Sequence, residues 1–316
     1  FMTEMWERFS FYGMKALLFL YLTKYHLFTD DNGYLLLGTY AGLAYALPLL
    51  GGALADRWLG MRKAVVFGGM LLVLGQLGMA YTGTPAQGIA GQANQDAFAI
   101  QIMYASLALI AVGVGFLKPN ISTIVGRLYA DNDPRRDSGF TIFYMGINIG
   151  AFVCNFFGAA LYNMYGWYAA FWAAGVGMFI GVLVFVIGTK HYKHADQIKP
   201  VSETDMPLLK ILGTILLPAV IFGLIPLTFE TPLVGSKSTD AFLFGCIPVV
   251  FFYIHLYRKS PLSEKPQIGA MLSIFAVVIA FWAIFKQNGS TMNTWAMNYT
   301  DREVSAVVEP LTSNLK

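Results

Sequence analysis

Charged residues are scarce in this chain of 316 residues: they make up 12% of it, whereas soluble domains carry about 25%. Cysteine is nearly absent, and Cys154 and Cys246 both lie in apolar runs, which favours small packing residues over a disulfide or metal pair. The net charge of +3 is too small to indicate a nucleic-acid partner. Hydrophobic residues reach 56%, with a mean hydropathy of +0.57. The composition excludes a disordered chain and an ordinary cytosolic enzyme, and it predicts an all-α polytopic membrane protein.

Apolar windows long enough to cross a bilayer, about 20 residues each, predict the membrane spans. Nine of them occur, near 3–23, 34–55, 64–82, 97–117, 139–162, 167–188, 208–228, 240–257 and 268–296. The polar segment 189–207 separates six spans from three and is the strongest domain boundary. No basic region precedes the first span, so we expect no signal peptide, and the start at Phe1 indicates a chain trimmed at its front.

Lysine and arginine are distributed unevenly between the two sides of these spans. One side holds only Lys24 and Lys237. The other side holds thirteen: Arg57, Arg62, Lys63, Arg127, Arg135, Arg136, Lys190, Lys193, Lys199, Lys210, Arg258, Lys259 and Lys265. Because cytoplasmic loops carry the excess of positive charge, we expect a multi-pass protein of the inner (plasma) membrane with its N-terminus in the cytoplasm.

The first span carries four charges, Glu4, Glu7, Arg8 and Lys15, although each charge near the bilayer centre costs roughly 2.5–3.5 kcal/mol. At 100° per residue, Glu4, Arg8 and Lys15 lie within about 40° of one another, so they form a stripe that we expect to line a polar cavity. Two acids and one arginine within a turn can exchange a proton for an ion pair, which would couple proton movement to a conformational change. The alternative is a structural ion pair, or charges that snorkel to the membrane surface.

Polar residues in later spans are further candidates for a cavity. Lys118 either faces the cavity or snorkels to the cytoplasmic end of the fourth span. Asn148 lies in a small-xxx-small pattern, and its amide contacts either a substrate or a neighbouring helix. Tyr45 in the second span can be a packing aromatic, whereas Trp282 and Lys286 mark the ninth span as another cavity wall.

Five sequence blocks together resemble a known family. EMWERFSFYG at 4–13 resembles the ExxERFxYYG signature of the proton-dependent oligopeptide transporters, the POT/PTR branch of the major facilitator superfamily. GGALADRWLG at 51–60 is similar to the family's loop between helices 2 and 3, and GVGFLKPN at 113–120 to its GxGxxKPN block. FYMGINIGA at 143–151 matches a block of helix 5, and FWAIFKQ at 281–287 resembles the start of one in helix 7. The blocks occur in family order across nearly the whole chain.

The resemblance implies the major facilitator superfamily fold of the prokaryotic type. Residues 1–188 are similar to its N-terminal six-helix bundle, and 189–207 would be a cytoplasmic linker. Residues 208–257 resemble the two-helix hairpin inserted in many prokaryotic members. Residues 268–316 resemble the first helix of the C-terminal bundle and a polar segment after it, so the family's helices 8 to 12 would lie outside this chain.

The resemblance also implies a function, that of a symporter that moves di- and tripeptides with protons by alternating access. It implies no enzyme activity, no metal and no cofactor beyond the coupling proton; the partners would be short peptides, protons and the lipid bilayer, with no nucleic acid, and the protein would be a monomer. The alternative within transport is a proton-coupled transporter of another small anion, nitrate or a carboxylate. A channel or a membrane enzyme is the alternative from a different class, but the sequence has no HExxH, GxSxG or phosphate-binding loop motif.

By resemblance, charged residues of the first and fourth spans would carry proton coupling and peptide binding. Glu4, Glu7 and Arg8 would carry proton coupling. Arg8, Lys15 and Lys118 would form the positive side of the site that receives the peptide carboxylate.

The remaining family positions are matched with two departures. Pocket positions correspond to Tyr12, Tyr45, Asn148 and Trp282, and the conformational latch of the superfamily loop corresponds to Asp56 and Arg57. Phe11 replaces the first tyrosine of the family's pair and so lacks a hydroxyl. Lys286 stands where many members have an acid that pairs with the cation at position 15 to close the outer gate. Two lysines would repel each other, so this gate pair is not carried over.

Overall fold

The computed structural model describes residues 1–130, 132–196, 212–234 and 237–285, together with the single residues 210, 295 and 299. Over these residues the protein is helical, and its only β pairing is an isolated antiparallel bridge between Gln87 and Asn94. The α-helices are α1 (Met2–Leu20), α2 (Asp30–Leu54), α3 (Met61–Met79), α4 (Ala97–Arg127), α5 (Arg135–Tyr165), α6 (Trp167–Ile187), α7 (Thr189–Tyr192), α8 (Leu217–Leu224), α9 (Lys237–Lys259) and α10 (Lys265–Phe285).

Seven of the helices in the described part are long and apolar enough to cross a membrane. They are α2 to α6, α9 from Thr239 onward, and α10. α1 has the same length as α3, 19 residues, but its four charged residues set it apart. The helical turns around α8, from Leu212 to Thr228, correspond to the predicted seventh span.

α4 and α5 are longer than the sequence predicted, with 31 residues each. The helix that contains the predicted fourth span continues beyond 117, through Pro119 to Arg127. Proline removes one backbone donor, but the other backbone groups of the helix remain paired within it. A helix of this length extends about 46 Å, well beyond a hydrocarbon core of about 30 Å. The ends of α4 and α5 therefore stand outside the core.

Helix boundaries follow from local chemistry. The side chain of Asp96 accepts hydrogen bonds from the Phe98 and Ala99 amides, both at 3.1 Å, and so caps the start of α4. Gly166 separates α5 from α6 with a φ of 87°, a backbone conformation that favours glycine.

The first six helices pack as two groups of three. α1 packs mainly against α5 and α6, while α4 packs against α2 and α3; α3 and α6 join the groups. Glycines allow the closest approaches: a Cβ on Gly68 of α3 would lie 2.6 Å from the Gly113 carbonyl of α4. Side chains such as Met14, Leu18 and Phe171 fill the space between the helices and are fully buried.

α8 and α9 pack against each other as a hairpin. A Cβ on Gly245 would lie 3.1 Å from the Ala219 carbonyl, so the two backbones are in close contact. Asp240 accepts hydrogen bonds from the Leu233 and Val234 amides at 2.6 and 2.8 Å, which fixes the turn between the helices.

The segment between α3 and α4 folds back over the end of α1. The Tyr25 hydroxyl donates to the Gly83 carbonyl at 2.8 Å, and the Gly91 amide donates to the Leu27 carbonyl at 3.0 Å. The Gln95 side chain donates to the His26 carbonyl at 2.6 Å. Residues 80–96 are thus hydrogen-bonded to the connection between α1 and α2, and they cover His26.

Candidate functional site

Glu4, Glu7 and Arg8 form a buried cluster on α1, which we call the acid triad. The Arg8 Nε lies 2.9 Å from Glu4 Oε1 and 2.5 Å from Glu7 Oε2. Each of the three residues is 3% exposed or less. With both acids ionised the triad carries two negative charges and one positive, so the binding of one proton makes it neutral.

Several polar atoms of the acid triad have spare hydrogen-bonding capacity. Among the described residues, Glu4 Oε2, both Glu7 carboxylate oxygens and Arg8 Nη2 make no hydrogen bond. An ionised carboxylate without hydrogen bonds is costly to bury. The arrangement can therefore take up a proton on Glu7, or an acceptor group at Arg8, without breaking a fully satisfied network.

Glycines bring α1 against its neighbours and bury the acid triad. A Cβ on Gly150 of α5 would lie 3.1 Å from Arg8 Cβ, and one on Gly181 of α6 would lie 3.0 Å from Trp6 Cβ. The close approach that we predicted from the small-xxx-small pattern is confirmed. Glu4, Glu7 and Arg8 are buried in this arrangement, and the polar cavity expected beside the charged stripe stays a prediction.

Aromatic rings surround the Arg8 guanidinium. Its carbon lies 5.6 Å from the Phe11 ring centroid and 5.8 Å from the Tyr12 ring centroid, within range of cation–π attraction. Phe11 stacks on Tyr40 of α2, with the centroids 6.3 Å apart. The Phe11 replacement thus keeps the ring that contacts Arg8, and Tyr40 is a buried packing aromatic.

Lys118 of α4 and Tyr45 of α2 form a second, more open cluster. The Lys118 Nζ lies 5.1 Å from the Tyr45 ring centroid, a cation–π contact between two helices. Lys118 is half-buried, and Tyr45 is 56% exposed. The structure thereby brings together two residues that the sequence had nominated separately.

The other nominated residues are placed as follows. Lys15 is half-buried on α1, seven residues beyond Arg8. Asn148 is exposed, and its Nδ2 donates to the Tyr144 carbonyl of its own helix at 2.9 Å. Trp282 is exposed on α10. Asp56 is exposed in the helical turn after α2 that also contains Arg57. The prediction for Lys286 falls outside the described residues.

Sequence reasoning missed one buried polar contact beside the acid triad. Gln76 of α3 donates through Nε2 to the Ser10 carbonyl of α1 at 3.4 Å, and both residues are buried. Ser10 Oγ and Gln76 Oε1 make no hydrogen bond within the described ranges. The sequence signal for this contact was Gln76 itself, a single amide side chain within the apolar third span. In the described part of the chain, no group of three or more His, Cys, Asp or Glu residues is arranged to hold a metal ion.

Curated proteins similar to this chain are bacterial transporters. The chain is 34% identical over 307 residues to the uncharacterized transporter YclF of Bacillus subtilis, covering 94% of this chain and 58% of that protein. It is 29% identical over 325 residues to the peptide transporter YePEPT of Yersinia enterocolitica, covering 96% and 60%. It is 30% identical over 312 residues to a di-/tripeptide transporter of Lactococcus lactis, covering 93% and 59%. The chain therefore spans about 60% of the length of these relatives.

Solved structures and a family profile agree with these relatives. A peptide transporter POT in complex with sulfate superimposes with a TM-score of 0.72 and 28% identity, over 99% of this chain and 66% of that one. A variant of a peptide transporter POT in complex with alafosfalin gives 0.72 and 29%, over 100% and 66%. The profile of the POT family matches residues 62–310. The predicted all-α major facilitator superfamily fold is confirmed, and this multi-pass membrane protein belongs to the POT family.

Proposed function

We propose that the protein is a proton-coupled symporter of di- and tripeptides in the plasma membrane, with its N-terminus in the cytoplasm. The observation that carries the proposal is the buried acid triad, in which two carboxylates compete for one guanidinium. Two of the relatives named above are described as peptide transporters, which supports a peptide as the substrate. The proton would be the coupling ion, and the protein would act as a monomer without a cofactor.

Coupling would follow from the charge balance of the acid triad. When a proton binds Glu7, its attraction to Arg8 is lost, and Arg8 keeps Glu4 as its partner. The guanidinium is then freer to attract a peptide carboxylate, with Phe11 and Tyr12 holding its face. Release of the proton on the other side of the membrane would let Glu7 compete with the peptide carboxylate for Arg8 again, and the peptide would be expelled. The proton and the carboxylate would thus move together.

A peptide would bind between the acid triad and the Lys118–Tyr45 cluster. Arg8, Lys15 and Lys118 supply the positive charge for its C-terminal carboxylate, and the exposed ring of Tyr45 offers an apolar face beside Lys118. Of the other proposed pocket residues, Tyr12, Asn148 and Trp282 would contact the rest of the peptide.

Alternating access would need the larger divisions of the chain. We propose 1–188 as the N-terminal bundle, 189–207 as its cytoplasmic linker, 208–257 as an inserted hairpin and 268–316 as the start of the second bundle. In such transporters two bundles rock around a central site. Asp56, with Arg57 beside it, would act as the latch of that motion.

The first test removes the titratable group of Glu7 and keeps its shape. In proteoliposomes, Glu7→Gln should lower gradient-driven peptide accumulation at least about tenfold, whereas exchange of labelled for unlabelled peptide, which needs no net proton flux, should persist at least in part. Glu230→Gln, at an exposed glutamate of the hairpin, is the matched control. If accumulation persisted in both Glu4→Gln and Glu7→Gln, the coupling role would be refuted. An equal loss of both activities, together with less folded protein, would show a structural role.

The second test asks whether Lys118 recognises the peptide carboxylate. Lys118→Gln should weaken binding of dialanine by about tenfold and binding of its C-terminal amide much less, because only dialanine carries the anion. Lys190→Gln, at an exposed lysine beyond α6, should change neither affinity. If both ligands lost affinity equally, Lys118 would have a structural role. Uptake of nitrate or a small carboxylate without uptake of dialanine would favour the alternative transporter of a small anion.

A further inference from the structure

A cavity of about 720 Å³ lies where the C-terminal end of α4 meets the start of α5. The distribution of lysine and arginine predicts that this end faces the cytoplasm. α4 and α5 form two walls of the cavity, and the helical turn Lys193–Ala195, which follows α6 and α7, forms the third. The polar residues that line the cavity are Ser122, Thr123, Arg127, Tyr129, Arg136 and His194.

The lining of the cavity is basic. Its described lining includes two arginines and one histidine, and no acid is among these described residues. A Cβ on Gly126 would lie 3.4 Å from the Arg136 Nη2, so the Arg136 guanidinium lies across the end of α4. Because position 126 is a glycine, no side chain at that position separates the Arg136 guanidinium from the backbone of α4.

Two described acids close in sequence to the lining residues, Asp133 and Asp196, are engaged by other arginines. Asp133 binds Arg135 at 2.8 Å, and these hydrogen bonds lower the pKa of Asp133 to about 2. Asp196 binds the Arg62 side chain at 3.3 Å and its backbone amide at 3.1 Å. Neither of these acids lines the cavity, and Arg136 forms no ion pair among the described residues, so its positive charge remains available to a ligand.

The position of the cavity favours a lipid as the source of that ligand. Since α4 and α5 exceed the thickness of the hydrocarbon core, their ends lie at the level of the lipid headgroups. Apolar side chains flank the basic residues: Leu128 is 40% exposed and Phe140 is 36% exposed. A basic pocket between membrane helices on the cytoplasmic side suits an anionic headgroup, with the acyl chains along the apolar flank.

We propose that this cavity binds the phosphate group of an anionic phospholipid, with Arg127 and Arg136 on the phosphate oxygens and His194 at the third wall. Arginine suits this task because its planar guanidinium donates two parallel hydrogen bonds to a phosphate. The bound headgroup would tie the ends of α4 and α5 to the turn after α6. The proposal does not depend on the transported substrate.

The test measures lipid retention by the full chain in native mass spectrometry. Purified protein in detergent is mixed with phosphatidylglycerol or with phosphatidylcholine, which differ in net charge. The chain should retain phosphatidylglycerol preferentially, and Arg136→Gln should lower that retention about fivefold, the effect expected for one arginine near a membrane surface. Arg135→Gln, which removes an equal charge one residue away but outside the cavity, should lower it less than about twofold.

A further variant and a competition experiment separate the possible outcomes. Arg136→Lys keeps the charge and should retain more phosphatidylglycerol than Arg136→Gln; if Arg136→Gln aggregates, this variant and the comparison of the two lipids carry the test. Equal retention of the two lipids, or equal losses in the variants at 135 and 136, would overturn the proposal. Inorganic phosphate at matched ionic strength should not displace the lipid. Displacement would identify a site for free phosphate and overturn the lipid as its ligand.

Discussion

His26 is a buried histidine whose protonation should destabilise the fold. It is fully buried, with its ring centroid 4.6 Å from that of Tyr21 and 5.2 Å from that of Tyr25. Neither ring nitrogen makes a hydrogen bond within the described residues. Burial lowers the pKa of His26 to about 4, although the Asp96 carboxylate acts in the opposite direction. The folded protein therefore holds this imidazole neutral.

The magnitude follows from the difference between the folded and unfolded pKa values. Above pH 6.5 the imidazole is neutral in both states, and its contribution to stability is fully present. As the pH falls from 6.5 toward 4, the unfolded chain binds a proton that the folded chain does not, so stability is lost. With a folded pKa of about 4, the free energy of unfolding should be about 2 kcal/mol lower at pH 5 than at pH 7.5.

Thermal unfolding in detergent at pH 7.5 and pH 5 would test this magnitude. His26→Phe keeps an aromatic ring but cannot bind a proton, so the loss of apparent melting temperature between the two pH values should be smaller by several degrees. His191→Phe, at an exposed histidine, should show the same loss as the unaltered protein. The carboxylates that titrate in this pH range affect both variants equally, so the difference between the two losses of melting temperature reports His26 alone. If the pH-dependent loss were as large in His26→Phe, the reasoning about His26 would be refuted.

Two further predictions concern the helix contacts and the outer gate. Gly150→Leu should destabilise the protein by about 1–3 kcal/mol, because a Cβ at this position already lies 3.1 Å from Arg8 Cβ. Gly158→Leu is the control: there the nearest side-chain atom is 3.9 Å away, and the variant should unfold at nearly the native temperature. Lys286→Glu should create an ion pair with Lys15 and favour the outward-closed state; spin labels on the periplasmic ends of spans one and nine would report it, and an unchanged distance distribution would argue against such a gate.

Contacts within one helix could be predicted from the sequence, as could the close approach of a helix at Gly150, but the side-chain contacts between helices could not. The acid triad lies within one turn of α1, so helical geometry alone placed Glu4 beside Arg8. The Lys118–Tyr45 contact depends on the rotation and register of α2 against α4, which are set by close backbone packing that no local pattern specifies. The same limit applies to His26. It follows the predicted first span, and its burial depends in part on the distant segment 80–96, which is hydrogen-bonded to Tyr25, His26 and Leu27.

The end of α4 shows a different limit. Proline usually ends a helix in water, yet α4 continues through Pro119 to Arg127. Within a bundle, the neighbouring helices and the remaining backbone hydrogen bonds outweigh the lost donor. A membrane protein can therefore continue a helix through a residue that signals its end in a soluble one.

The division of the first six helices into two groups has a consequence for the geometry of the site. The acid triad belongs to the group of α1, α5 and α6, whereas Lys118 and Tyr45 belong to the group of α2, α3 and α4. The distance between the two charge centres therefore depends on the contacts that join the groups. One is the stack of Phe11 on Tyr40. Another lies between α3 and α6, where a Cβ on Gly175 would lie 3.0 Å from Leu77 Cδ2. A slide of one group along the other would change the length of molecule that fits between a carboxylate-binding lysine and a proton-binding glutamate. Residues that touch no ligand would in this way determine the length of the ligand that the site accepts.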